Sequence, residues 1–297
     1  MMKTLFLVVL LLTGFQWIGC SSGTDQAYVD QINEWHQGRV ERLTSENGWM
    51  SLAGLFWLNN GENTFGADSS NDVIFPSGKA PNFIGSFELK DGIVRAKILP
   101  NVEVVLDDKP VTDVVLDSDA GGNPTVLHYG TLSWYVIRRS NDLAIRLKDS
   151  ANPVIKSFHG IERYPVESSW RLEAKFEAYN PQKSISVPTI LGTIEEEPSA
   201  GALVFKIENK TYRLDAVGNL GDEQFFIIFG DETNKDETYE SGRYVYVDNP
   251  GNGGKTILDF NKAYNPPCAF TQFATCPFPP PQNILPLKVT AGEKKYH

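Results

Sequence analysis

The sequence predicts a mainly β protein, with an antiparallel barrel-like or two-lobed β-sandwich architecture and one N-terminal flanking helix. Three observations carry this expectation. From Gly48 onward, apolar residues fall in short alternating runs broken by Gly, Asn, Asp and Pro, the pattern of half-buried strands joined by turns. Turn residues such as Asp91-Gly92 stand where those runs should fold back. Helical periodicity is confined to Thr24 to Leu43, which sets Val29, Ile32, His36, Val40 and Leu43 near one face.

The chain opens with Lys3 followed by Leu5 to Leu12, a charged segment and an apolar run too short to span a membrane. This predicts an export signal over residues 1–19. The following Trp17-Ile18-Gly19-Cys20 resembles a bacterial lipobox, so Cys20 is expected to carry lipid and residues 20–24 to form a tether. Two or three acyl chains hold a protein on a membrane far better than one. An exported, lipid-anchored protein of the bacterial cell envelope is therefore expected. Residues 25–297 then form one β-rich domain, divisible at the irregular Ser157 to Arg171 into lobes 48–160 and 165–297.

Within that domain, Phe83 to Leu89 and Ile93 to Ile98 are expected to pair around Lys90-Asp91-Gly92. Leu127 to Arg139 should pair with Leu143 to Lys148, and Ala202 to Glu208 with Thr211 to Val217 around Asn209-Lys210. Gln224 to Thr233 reads as an apolar strand ending in acids. A period of two sets Asp231 on the face of Phe225, Ile227 and Phe229. Arg243 to Val247 returns past it, bringing Arg243 near the Asp231 carboxylate. In the next strand Ile257, Asp259 and Asn261 share one face.

The net charge of −10, without basic runs, excludes nucleic acid as an expected partner, because phosphate binding needs clustered Lys and Arg. Asn249 to Thr256 spells part of a phosphate loop, but it lacks the first Gly and is followed by a strand rather than a helix, so a hairpin loop is expected. Neither a G-x-S-x-G elbow nor an H-E-x-x-H helix is present. Serine-histidine chemistry through His128 or His159 is outweighed by structural roles for both.

The remaining chemistry lies in an acid, amide and phenol set. Asp231, Asp259 and Glu293 are the candidate catalytic carboxylates. Thr233, Tyr239, Arg243, Asn261, Tyr264 and Asn265 are candidate ligand-binding groups. Two carboxylates in one cleft would permit acid–base work, and convergence with Asn carbonyls would suit a hard cation such as calcium. No resident cofactor or metal is predicted. Cys268 and Cys276 are expected to form a disulfide, given an oxidising compartment and an even count once Cys20 is lipidated; a metal site and a reactive thiol are the alternatives.

Gly48-Trp49, Gly54 to Leu58, Phe229 to Thr233 and Gly242-Arg243-Tyr244 resemble the DUF1684 family of bacterial and archaeal proteins. The most specific part is Asp259-Phe260-Asn261 through Tyr264 to Cys268, Cys276-Pro277, Pro279-Pro280 and Ala291-Gly292-Glu293. The resemblance runs from about Trp35 to Tyr296 and implies no activity. The leading expectation is a module binding a small polar or glycan-like ligand in a cleft of the C-terminal half. A hydrolase with a carboxylate pair and a structural lipoprotein are the alternatives.

Overall fold

The structure, a computed structural model, describes residues 25–251 and 254–296. The expected export signal and Cys20 lie outside them. Helix α1 spans Gln26–Thr44. Asp25 caps it by accepting a hydrogen bond from the Ala27 N–H at 3.1 Å, satisfying one of the amides that a helix start leaves unpaired. Ile32 and Leu43 are buried as expected, but Val29, His36 and Val40 are only partly so. The third buried position is Arg39, a charge inside the apolar stripe.

The chain then forms β1 (Leu52–Trp57), β2 (Gly61–Gly66), β3 (Val73–Ile74), β4 (Gly85–Lys90), β5 (Ile93–Ile98), β6 (Val105–Leu106), β7 (Lys109–Pro110), β8 (Asp113–Leu116), β9 (Leu127–Tyr129), β10 (Leu132–Arg139) and β11 (Asp142–Asp149). One sheet has the order β1-β11-β10-β9-β6-β7 and the other β3-β2-β4-β5-β8. Inward side chains of both sheets share one core. Phe65 stacks on Phe87 at 4.1 Å, and Phe75 meets Trp134 edge-on at 5.0 Å.

After a short helix α2 (Pro153–Lys156), the second half supplies β12 (Arg171–Pro188), β13 (Ile194–Ile207), β14 (Lys210–Ala216), β15 (Gln224–Phe229), β16 (Arg243–Asp248) and β17 (Lys255–Asp259). A curled antiparallel sheet of order β14-β13-β12-β17 packs with the β15-β16 pair around Phe176, Phe205, Phe225, Phe229, Leu258 and Phe260. Between the two cores, Arg139 and Arg146 of the first half donate to the Thr275 hydroxyl at 2.9 and 3.2 Å.

Turn chemistry accounts for the registers. Asp91 and Gly92 have φ of 52° and 75° and connect Lys90 paired with Ile93, a two-residue turn whose twist suits the strands. Glu208 and Asn209 do the same between β13 and β14, with φ of 48° and 65°, one residue earlier than expected. The long β12–β13 hairpin carries no such signal, because Glu195-Glu196-Glu197 breaks any apolar alternation.

Two expectations about strand ends are corrected. β17 stops at Asp259, whose carboxylate accepts from the Asn261 N–H at 3.1 Å and starts a 3₁₀ turn over Phe260–Lys262. Asn261 therefore does not continue the face of Ile257. Likewise β15 ends at Phe229, and Asp231 lies in the loop beyond it.

Trp134 is fully buried and edge-packed on both Phe65 and Phe75. Trp134→Ala is expected to lower the unfolding free energy by about 3–5 kcal/mol, measured by urea denaturation; a loss below about 1 kcal/mol would contradict this packing.

Candidate functional site

The predicted carboxylates occupy three separate environments. Asp231 is sealed: its Oδ2 takes Arg243 Nη2 at 2.8 Å, with both side chains fully buried. Its Oδ1 accepts from the Thr233 N–H and hydroxyl at 2.9 and 2.6 Å and from the Val289 N–H at 3.2 Å. Arg243 also donates to the carbonyls of Val289 and Ala291. Asp231, Arg243 and Thr233 thus form a buried clamp.

Glu293 is equally enclosed. Its Oε2 accepts from the Asn265 N–H at 2.7 Å, and Arg39 Nε lies 3.2 Å from Oε1. Burial raises its pKa, an effect opposed by Arg39. Asn265 is buried as well, giving its carbonyl to Arg39 at 2.9 Å and its amide to the Lys294 carbonyl at 2.8 Å. Beside them, His36 is held neutral, its pKa brought down to about 4 by burial and then by Arg163 and Arg39.

Asp259 alone of the three carboxylates borders open space. The Tyr28 hydroxyl lies 2.8 and 2.9 Å from its two oxygens. Burial and then this contact hold the phenol protonated far above its usual range. Asn261 stays behind this pair, bonding the Glu167 backbone at both of its amide atoms. Among the described residues, no three or more His, Cys, Asp or Glu side chains are grouped so as to hold a metal ion.

The space that Asp259 borders is a cleft of about 580 Å³ between α1 and the outer surface of β16 and β17. Gln31, Trp35 and Arg42 line it from the helix; offsets of four and eleven residues return to one face at 3.6 residues per turn. Arg171, Lys262, Tyr246, Asp248 and Tyr264 line the opposite side. Tyr246 is 51% exposed, and its ring is parallel to that of Tyr264. Arg39 lies 4.5 Å over the Tyr264 ring, fixing it from below. Arg42 and Lys262 make no ion pair among the described residues. The cleft therefore combines an aromatic wall with cations free to meet an acidic group.

The cleft also holds the Asp248 carboxylate, on the strand whose Asp248 carbonyl accepts from the Thr256 hydroxyl at 2.8 Å. Of the nine predicted catalytic and ligand-binding residues, the cleft collects Asp259 and Tyr264. Trp35, Arg42, Arg171, Tyr246 and Lys262 were missed. The helix-face spacing was a usable signal, but the helix–sheet approach was not.

The expected disulfide is corrected: Cys268 and Cys276 are free thiols. Cys268 sits in a 3₁₀ turn over Pro267–Ala269, which directs its N–H to Cys276 Sγ at 3.1 Å. Cys276 Sγ is thus an acceptor. Burial and then the neighbouring Cys268 hold the Tyr239 phenol protonated far above its usual range.

Residues 156–294 match the family profile described as "Protein of unknown function (DUF1684)". Residues 156–294 belong to the DUF1684 family. Gly48-Trp49 and Gly54 to Leu58 lie outside the matched range. An uncharacterized protein of Haloarcula marismortui, solved in solution by NMR, is 27% identical, covering 47% of this chain and 78% of its own, with a TM-score of 0.40. An FHA domain studied for phosphothreonine-dependent interactions is 13% identical over 32% of this chain and 92% of its own, with a TM-score of 0.23. The FhaA FHA domain, in complex with an intracellular domain of another protein, is 12% identical over 32% and 97%, also at 0.23. At these TM-scores the likenesses carry no argument about the DUF1684 region. No curated protein matches the chain.

Arg243→Met leaves the Asp231 carboxylate buried without its cation and is expected to lower stability by about 3–5 kcal/mol; adding Asp231→Asn should recover part of it. Equal stability of the single and double variants in urea would contradict the clamp. For His36, the folded pKa lies below the unfolded value of 6.5, so its contribution is complete above that value and is lost as pH falls toward about 4. His36→Gln should therefore lose less stability than wild type between pH 7 and pH 4.5, measured by urea denaturation at both.

Proposed function

We propose that this protein is a binding module that holds a small polar, glycan-like molecule bearing an acidic group in the cleft between α1 and β16–β17. The observation that carries the reading is the composition of that cleft: Trp35, Tyr246 and Tyr264 as stacking surface, with Arg42, Arg171 and Lys262 around them. Sugar rings offer apolar C–H faces to aromatic side chains, and an acidic substituent would meet Arg42 and Lys262, which make no ion pair among the described residues. The Asp231–Arg243 clamp and the Glu293 cluster then serve as support.

The same proposal includes location. Leu5 to Leu12 and the Gly19-Cys20 junction support export and lipid attachment at Cys20, with the module held on a bacterial envelope membrane. Expression of the full chain in a bacterial host is expected to put it in the membrane fraction and Cys20→Ala in the soluble fraction. Membrane association unchanged by that substitution would refute the anchor.

The binding reading is tested by titrating the full chain with D-glucuronate and with N-acetylglucosamine while recording tryptophan emission, with Trp35→Phe as the reporter control. Saturable quenching by glucuronate is expected, lost in Trp35→Phe. Arg42→Ala combined with Lys262→Ala should weaken affinity at least tenfold, about 1.4 kcal/mol. Unchanged affinity in that double variant, or no saturable signal with either sugar, would overturn the proposal.

A further inference from the structure

Two nucleophilic side chains stand apart from this cleft and have no part in its proposed role. Cys268 and Cys276 lie eight positions apart in a segment stiffened by Pro266, Pro267, Pro277, Pro279, Pro280 and Pro281. Their relation is unequal. Cys276 is 4% exposed, whereas Cys268 is partly open to solvent. Cys276 Sγ receives the Cys268 N–H at 3.1 Å.

The surrounding backbone is anchored on both sides of Cys276. Thr275 takes Arg139 and Arg146, the Cys276 carbonyl takes the Ile190 N–H at 3.0 Å, and the Pro277 carbonyl takes the Tyr244 hydroxyl at 2.6 Å. The fold thus holds Cys276 Sγ against the backbone of Cys268.

We propose that Cys268 and Cys276 form a thiol–disulfide exchange site for low-molecular-weight disulfides, with Cys268 as the entering nucleophile and Cys276 as the resolving thiol. Hydrogen bonds from Cys276 and Tyr239 lower the Cys268 pKa, while bonding to Cys268 and burial raise that of Cys276. The first thiolate therefore forms on the sulfur that solvent reaches. Cys268 thiolate attacks one sulfur of R–S–S–R, forming the mixed disulfide and expelling one thiolate, which takes up a proton. Cys276 then loses its proton to solvent and attacks the Cys268 sulfur, breaking the mixed bond and releasing the second thiolate, which is protonated in turn. The protein loses two electrons and two protons, and one disulfide becomes two thiols.

The test uses the full chain, prepared reduced, with oxidised glutathione at pH 7, followed by acid quench, alkylation of remaining thiols and peptide mass mapping, which separates Cys20 from the pair. Wild type is expected to close a Cys268–Cys276 disulfide that dithiothreitol reopens without denaturant. Cys276→Ser should accumulate glutathione on Cys268, and Cys268→Ser should acquire it on Cys276 at least tenfold more slowly. Where a variant does not fold, alkylation of native wild type supplies the comparison, with Cys268 reacting at least tenfold faster than Cys276. Equal rates at the two positions, failure of wild type to close, or a disulfide that native reduction leaves intact would each overturn the assignment.

Discussion

The buried ion pair between Arg243 and Asp231 is the interaction on which the rest of the C-terminal half depends. Removing both charges from water is unfavourable by several kcal/mol per ion, and close pairing with further hydrogen bonds offsets it. Here Asp231 accepts from Thr233 and Val289, and the two terminal nitrogens of Arg243 donate to the carbonyls of Val289 and Ala291. Such demands admit one register of the closing segment against the loop after β15. Backbone bonds from Gly230 to Asn283 and from Glu232 to Leu287 extend that register.

Fixing Val289 and Ala291 also fixes Glu293, two residues on. Its carboxylate holds the Asn265 amide and faces Arg39, and Arg39 reaches back to the Asn265 carbonyl and lies over Tyr264. A charge in the apolar stripe of α1 is thereby turned into the contact that seats the helix. The opposite wall of the cleft is β16, the strand that begins with Arg243. Clamp and cleft are thus two ends of one arrangement: internal charges set the spacing, and the outward cations and rings of that spacing meet solvent.

Much of the architecture was legible in local sequence. Asp91-Gly92 specifies its hairpin through backbone conformations that few residues adopt, and the pairing of Phe229 with Arg243 follows from two apolar runs flanking a polar loop. The approach of Arg243 to Asp231 was legible for the same reason. Its burial was not, because whether the strand end is open or covered depends on residues 283–293, far along the chain. Asn261 and Asn265 were likewise read as ligand groups, whereas their side-chain amides donate to the backbone carbonyls of Glu167 and Lys294. The cleft escaped because Gln31, Trp35 and Arg42 look like the solvated side of a helix until the sheet is known to face them. The expectation for the cysteines used compartment and count, neither of which reports how the 3₁₀ turn at Cys268 aims its amide.

The most direct measurement is hydrogen exchange on Glu293→Ala, read amide by amide against wild type. If Glu293 seats the helix through Arg39 and Asn265, amides of Gln26–Thr44 should exchange at least tenfold faster while those of β10 and β11 keep their protection. Unchanged protection across α1 would mean that its apolar face alone holds it, and uniform loss across both halves would mean that Glu293 serves global stability; either result would contradict the account.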